Sequence, residues 1–117
     1  RGKIISISST AGSRAAPAMG IYGVAKAGLD MLTKVLAAEL APANIQVNAV
    51  APGMVRTDFS KPFWSTPAIH DQVVKAIPAG RIAEPADLVP IVLLLASRYG
   101  DYITGQTITV DGGASAI

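Results

Sequence analysis

Ile45-Gln46-Val47-Asn48-Ala49-Val50-Ala51-Pro52-Gly53 is the stretch on which the fold turns. Its first six residues carry β-branched side chains at positions 45, 47 and 50, the make-up of a strand. Pro52-Gly53 then turns the chain at once. Before this strand, Gly20 to Ala41 reads as a helix, because Ala25, Leu29, Leu32, Leu36 and Leu40 recur at three- and four-residue steps as an apolar stripe. Pro42, which cannot continue the hydrogen-bond ladder, ends it. Earlier still, Lys3 to Ser9 is a β-branched run and predicts a strand with at least one buried face. Thr10 to Met19, rich in Ser, Ala, Gly and Pro, reads as a loop. After the central strand, Phe59 to Gly80 reads as a long loop carrying one or two short helices. Glu84-Pro85-Ala86-Asp87 resembles a helix start, with Pro85 at the first helical position. Leu88 to Tyr99 continues it as a nearly all-apolar, hence buried, helix whose first turns Pro90 should bend. Gln106 to Val110 is a third strand, closed by Asp111-Gly112-Gly113.

Strand, helix, strand, helix, strand is the pattern of right-handed crossover units on a parallel sheet, an α/β fold. Three strands and two main helices are few for a sheet that needs both faces covered, so an incomplete sheet is expected. The 117 residues suit one small domain or part of a larger one, and residue 1 is Arg rather than Met. Half of the residues are hydrophobic and only 15% are charged, which excludes a disordered polar chain. Ten Lys and Arg against eight Asp and Glu are too balanced for a nucleic-acid footprint. With no cysteine there is no disulfide, thiol nucleophile or Cys-based zinc site, and the single histidine, His70, excludes a multi-histidine metal centre within one chain. The longest apolar run, Leu88 to Ala96, falls well short of the ~20 residues of a membrane span. No signal peptide is legible at the N-terminus. A soluble, cytoplasmic protein without membrane or nucleic-acid partners is expected.

The residues that suggest chemistry are Ser9, Tyr22 and Lys26. Four residues apart on a helix, Tyr22 and Lys26 share a face. An ammonium close to a phenol stabilises the phenolate, which makes a tyrosine a usable proton donor or acceptor at physiological pH. Ser9 leaves the C-terminal end of a strand, where ligands dock in open parallel sheets, so its hydroxyl could hold a substrate oxygen beside the phenol. Gly53, after the next strand, would let backbone approach a ligand closely.

Ser9, Tyr22 thirteen residues on, and Lys26 together resemble the active-site stretch of the short-chain dehydrogenases/reductases. Asn48 to Thr57 resembles that family's Asn-x-x-x-Pro-Gly-x-x-x-Thr segment. Pro78 to Asp87 resembles its Pro-x-Gly-Arg and Glu-Pro-x-Asp motifs, and Tyr102 to Gln106 with Val110 to Gly113 its closing strand. The resemblance implies the C-terminal half of a Rossmann-type doubly wound parallel sheet, with residues 1–117 forming half of a single NAD(P)-binding domain and no second domain. It implies a hydride transfer between NAD or NADP and a small carbonyl or alcohol substrate. Tyr22 would be the general acid/base, and Lys26 would support it and bind the nicotinamide ribose. Ser9 would orient the substrate oxygen. Pro52, Gly53, the Val55 backbone and the Thr57 hydroxyl would cradle the carboxamide and nearby phosphate. Met54, Phe63 and Trp64 would wall an apolar substrate pocket, in the manner of the family's carbonyl and retinal reductases. The family's Gly-rich phosphate-binding turn, its residues that choose between NAD and NADP, and its catalytic asparagine have no counterpart in these residues, and all would precede Arg1. A homo-oligomer, or a retained N-terminal half, is the expected assembly.

Rival readings are weaker. A serine hydrolase would need the G-x-S-x-G elbow, and a P-loop protein the G-x-x-x-x-G-K-[ST] run; both are absent. The alternative from another class is a catalytically inactive, truncated oligomerisation or binding module, using the small residues Ala25, Ala27, Gly28, Ala37 and Ala38 for close helix packing. His70 reads as a solvated helix residue.

Overall fold

The computed structural model describes residues 1–117. Three parallel strands form one sheet in the order β1 (Gly2–Ile7), β2 (Ile45–Pro52), β3 (Thr107–Val110). Gly2 pairs with Ile45 through to Ile7 with Val50, and Ala49 with Thr107 through to Pro52 with Val110. Helix α1 (Gly20–Leu40) makes the first crossover. The second runs through α2 (Pro67–Lys75) and α3 (Val89–Ala96). The expected α/β architecture of three parallel strands and two main crossover helices is therefore present.

The core is the central strand. Every residue from Gln46 to Pro52 is buried, and successive side chains point to opposite faces, so β2 is covered on both sides. Asn48, 1% exposed, lies here without an unpaired polar atom. Its Nδ2 donates to the Ile103 carbonyl at 2.8 Å, and its Oδ1 accepts from the Gln106 N–H at 3.0 Å. A buried amide with both ends paired fixes the approach to β3 without a desolvation penalty.

Two expectations need correction. The seam of α1 that meets the sheet and the loop after β1 runs through Gly23, Lys26, Asp30, Thr33 and Ala37, with Thr33 and Ala37 buried. Leu29, Leu36 and Leu40 flank it half-buried, whereas Ala25 and Leu32 of the apolar stripe face outward. The reason is close approach along the seam: a Cβ on Gly23 would meet the Ala11 carbonyl oxygen at 2.8 Å, and Ala37 packs against Gly105. Thr33 is tolerated because its hydroxyl donates to the Leu29 carbonyl one turn back, at 2.9 Å. The second correction concerns α3. Of its residues only Leu95 is fully buried, and Leu93 is 63% exposed, because the helix meets strands on one side alone. Nor does Pro90 sit deep in it. A 3-10 turn over Pro85–Leu88 precedes α3, so Pro90 falls in the first α-helical turn, where no backbone donor is needed.

Candidate active site

A cavity of about 640 Å³ opens at the carboxyl ends of β1 and β2. One wall begins at Ser8 and Ser9. Ser9 caps a 3-10 turn over Thr10–Gly12, its Oγ accepting from the Ala11 N–H at 3.1 Å. This turn lies directly on the start of α1. A Cβ on Gly23 would stand 2.8 Å from the Ala11 carbonyl oxygen, and one on Gly12 would stand 2.9 Å from the Lys26 carbonyl carbon. The absence of both side chains is what brings the strand end against Tyr22 and Lys26. The Lys26 Nζ donates to the Ile7 carbonyl at 2.9 Å and stands 5.5 Å from the centroid of the Tyr22 ring. Ser9, Tyr22 and Lys26 thus line one cavity.

The opposite wall follows β2. Pro52, Gly53, Met54, Val55 and Thr57 all line the cavity. Gly53 has a different use from the one its sequence suggests: a Cβ there would lie 2.7 Å from the Cβ of Asp111. Its bareness makes room for the Asp111 side chain at the end of β3, while its backbone lines the cavity. Val55 bridges to Ala83 in parallel fashion, and the Arg56 N–H donates to the Ala83 carbonyl at 2.8 Å, tying this turn to the segment before α3.

Phe63 lines the cavity, but Trp64 does not. Trp64 is held one layer out: its Nε1 donates to the Ser60 Oγ at 3.1 Å, and its ring lies 4.9 Å from the Arg56 guanidinium. Phe59 takes the place expected of it, with its ring 6.3 Å from that of Tyr22. Sequence reasoning assigned no site role to Ser60, Gly12 or Gly23, and it counted Phe59 only among the aromatics of the Thr57–Trp64 loop. Phe59 and Ser60 follow directly on the Thr57 motif, but nothing in their spacing separates a wall residue from a bracing one. His70 sits on α2, away from the cavity, 3.3 Å from Asp71.

The formal charges lining the cavity are Arg14 and Lys26, both positive, with no carboxylate opposite them. Arg14 is anchored by its Nη1, which donates to the Ala114 carbonyl at 2.6 Å. Asp111, beneath Gly53, is held below the ordinary carboxylate range: burial works against its charge, but the Ser115 hydroxyl and the Ser115 and Gly113 N–H groups outweigh it. Asp87, at the start of the last helix, is lowered to about 2 by hydrogen bonds from Arg81 and from the Glu84 N–H. The site suits an anionic dinucleotide. Two cations and no acid face the cavity, Lys26 keeps donors free beyond the one given to Ile7, and the Val55–Thr57 turn lies across from it.

A parallel sheet with a Tyr–Lys pair and a serine gathered at its strand ends is a Rossmann-type arrangement. The family model described as Enoyl-(Acyl carrier protein) reductase matches residues 1–115. The chain belongs to the short-chain dehydrogenase/reductase family. It is 42% identical, over 96% of its length, to Dehydrogenase/reductase SDR family member 4 of Rattus norvegicus, and covers 40% of that protein. Among solved structures it resembles a gluconate 5-dehydrogenase from Burkholderia cenocepacia in complex with NADP and tartrate. That match has a TM-score of 0.97 and 36% identity, covering 100% of this chain and 46% of the other. A 4-hydroxyisoleucine dehydrogenase complexed with NADH matches with a TM-score of 0.95 and 32% identity, over 99% of this chain and 48% of its own. The chain therefore spans a little under half the length of these relatives. The family's cofactor is NAD(P), and its named members are dehydrogenases and reductases. No helix is long and apolar enough to cross a membrane.

Proposed function

We propose that this chain supplies the proton-transfer side of an NAD(P)-dependent interconversion of a carbonyl compound and its alcohol. The observation that carries the proposal is the meeting of Ser9, Tyr22 and Lys26 on one cavity at the carboxyl ends of two parallel strands. The nicotinamide ring, when bound, supplies or takes up the hydride. In reduction, Tyr22 gives its hydroxyl proton to the substrate oxygen as that oxygen gains charge; in oxidation it takes the proton back. Lys26, fixed by the Ile7 carbonyl, sets its ammonium over the Tyr22 ring, 5.5 Å from the centroid. Its remaining N–H donors are available to ribose hydroxyls. Ser9, at the strand end, donates to the same substrate oxygen and holds it in line with Tyr22. Thr57 and the Val55 backbone, which line the cavity opposite Lys26, would hold the carboxamide end of the cofactor. Met54, Phe59 and Phe63 give the substrate side an apolar wall.

Tyr22→Phe in the complete gene product tests this reading. Loss of the general acid should lower turnover on the order of 10²–10⁴-fold while calorimetry finds cofactor affinity preserved. Near-normal turnover would remove Tyr22 from the role. We further propose that the protein assembles with copies of itself through apolar surface that the chain leaves open. Ile21 is 91% and Val24 75% exposed on α1, more than a solitary domain usually leaves uncovered along one helix face. The reading as an inert binding module accounts for that surface but leaves the Ser9–Tyr22–Lys26 cavity without a purpose.

A further inference from the structure

We infer that Ser60 is a positioning residue of this site, acting through the turn that meets the cofactor. The inference rests on the oxidoreductase reading and adds a residue that reading does not use.

Ser60 is 7% exposed, and its hydroxyl has a saturated set of partners. A hydroxyl has one proton to donate and two lone pairs to accept with. The Ser60 Oγ gives its proton to the Val55 carbonyl and accepts from the Thr57 N–H and the Trp64 Nε1–H, each at 3.1 Å. One side chain thus spans both ends of the Val55–Thr57 turn, the two residues through which that turn faces the cavity. The Ser60 N–H also donates to the Thr57 Oγ1, at 3.3 Å, which directs that hydroxyl.

The brace is itself braced. Trp64 is gripped at its edge by Ser60 and on its face by Arg56, whose Nε donates to Glu84 at 3.0 Å. Trp64 therefore acts at one remove, holding the serine that holds the turn. Replacing Ser60 by alanine would leave the Val55 carbonyl and two N–H donors in a part-buried place without partners, and the turn would have to move to find others. Its movement would be felt where the carboxamide end of the cofactor docks, before it is felt in proton transfer at Tyr22.

The test is steady-state kinetics on the complete gene product with NAD(P)H and a carbonyl substrate it reduces, with cofactor binding measured in parallel by calorimetry. Ser60→Ala should raise the cofactor KM about tenfold, the scale of one or two lost hydrogen bonds, with kcat changed less than about threefold. Ser60→Thr, which keeps the hydroxyl, should restore most of the affinity. Trp64→Phe should raise KM about threefold, because it removes one of the three bonds and leaves the hydroxyl on the turn. Trp64 is the only tryptophan of this stretch, so the fluorescence difference between wild type and Trp64→Phe reports its environment directly. That signal should change on cofactor addition and cease to change in Ser60→Ala. A folded Ser60→Ala protein with unchanged cofactor KM, or with kcat lost and KM intact, would overturn the assignment. Should Ser60→Ala fail to fold, an unchanged KM in Trp64→Phe overturns it equally. A wild-type protein that binds no NAD(P)H would instead bring down the oxidoreductase reading, and this inference with it.

Discussion

The two faces of α1 obey opposite rules. The inner face carries Gly23, Lys26, Asp30, Thr33 and Ala37, small or polar residues that a hydrophobicity pattern would assign to solvent. The outer face carries Ile21, Val24, Met31, Leu32 and Val35, which are 91%, 75%, 59%, 50% and 43% exposed. The inner face is selected by distance: loop and sheet lie so near that a methyl group at Gly23 would collide with Ala11. The outer face is open apolar surface, the stripe through which we proposed self-association, since it gains nothing from water. One helix therefore carries the proposed catalytic pair on its close-packed side and an open apolar stripe on the other.

The largest break in this contrast comes from Lys26→Ala on the inner face. It should lower kcat on the order of 10²-fold or more and also raise the cofactor KM, because one ammonium serves both the phenol and the ribose. A change in KM alone would separate Lys26 from proton transfer. Gly23→Ala is next. In an exposed helix this change would gain about 1 kcal/mol, but the 2.8 Å approach to Ala11 should turn it into a net loss of about 1–2 kcal/mol. Thermal unfolding measures the sign, and activity should fall with it, since the displaced Thr10–Gly12 turn carries Ser9. A stabilised, active Gly23→Ala protein would mean that the close contact does not hold the site together.

Acid sharpens the contrast, because the outer stripe has no charge to titrate. The Asp87 carboxyl lies at about 2 in the folded protein against an ordinary 3.8, so protonation favours the unfolded chain. Its contribution is complete above pH 4 and is lost as pH falls through 2. The gap in Tm between wild type and Asp87→Asn should therefore narrow from pH 5 to pH 2.5, while association through α1 is unaffected for as long as the fold survives. A gap that widens in acid would contradict the Arg81–Asp87 assignment. The smallest effect on the fold itself is expected from Val24→Lys with Met31→Lys, within about 0.5 kcal/mol for exposed positions. The same pair should shift sedimentation toward smaller species. An unchanged assembly would place the contact elsewhere.

Much of this arrangement is legible without coordinates. The β-branched runs at Lys3–Ser9, Ile45–Val50 and Gln106–Val110 became strands, because a residue's preference for an extended, half-buried surface is local. The Tyr22–Lys26 spacing placed both groups on one helical face for the same reason, as 3.6 residues make a turn wherever the helix lies. Motif order along the chain was enough to name the family. What local pattern misjudged were properties of contact. Leu32 and Thr33 are adjacent, and it is the way α1 lies on the sheet that puts the threonine in and the leucine out. Gly53 is required in either reading, but the neighbour that requires it, Asp111, lies just past the end of β3. Trp64 and Phe59 are both aromatic and follow the same motif, and the ladder of Ser60 and Arg56 sends one to the brace and the other to the wall.

The sequence by itself determined which residues are chemically able to move a proton and which segments extend or coil, since both depend on bonds and neighbours along the chain. Only the tertiary structure decided which surfaces touch. Packing compares atoms that are far apart in sequence at separations of a few ångströms, where one methyl group reverses the sign of the interaction.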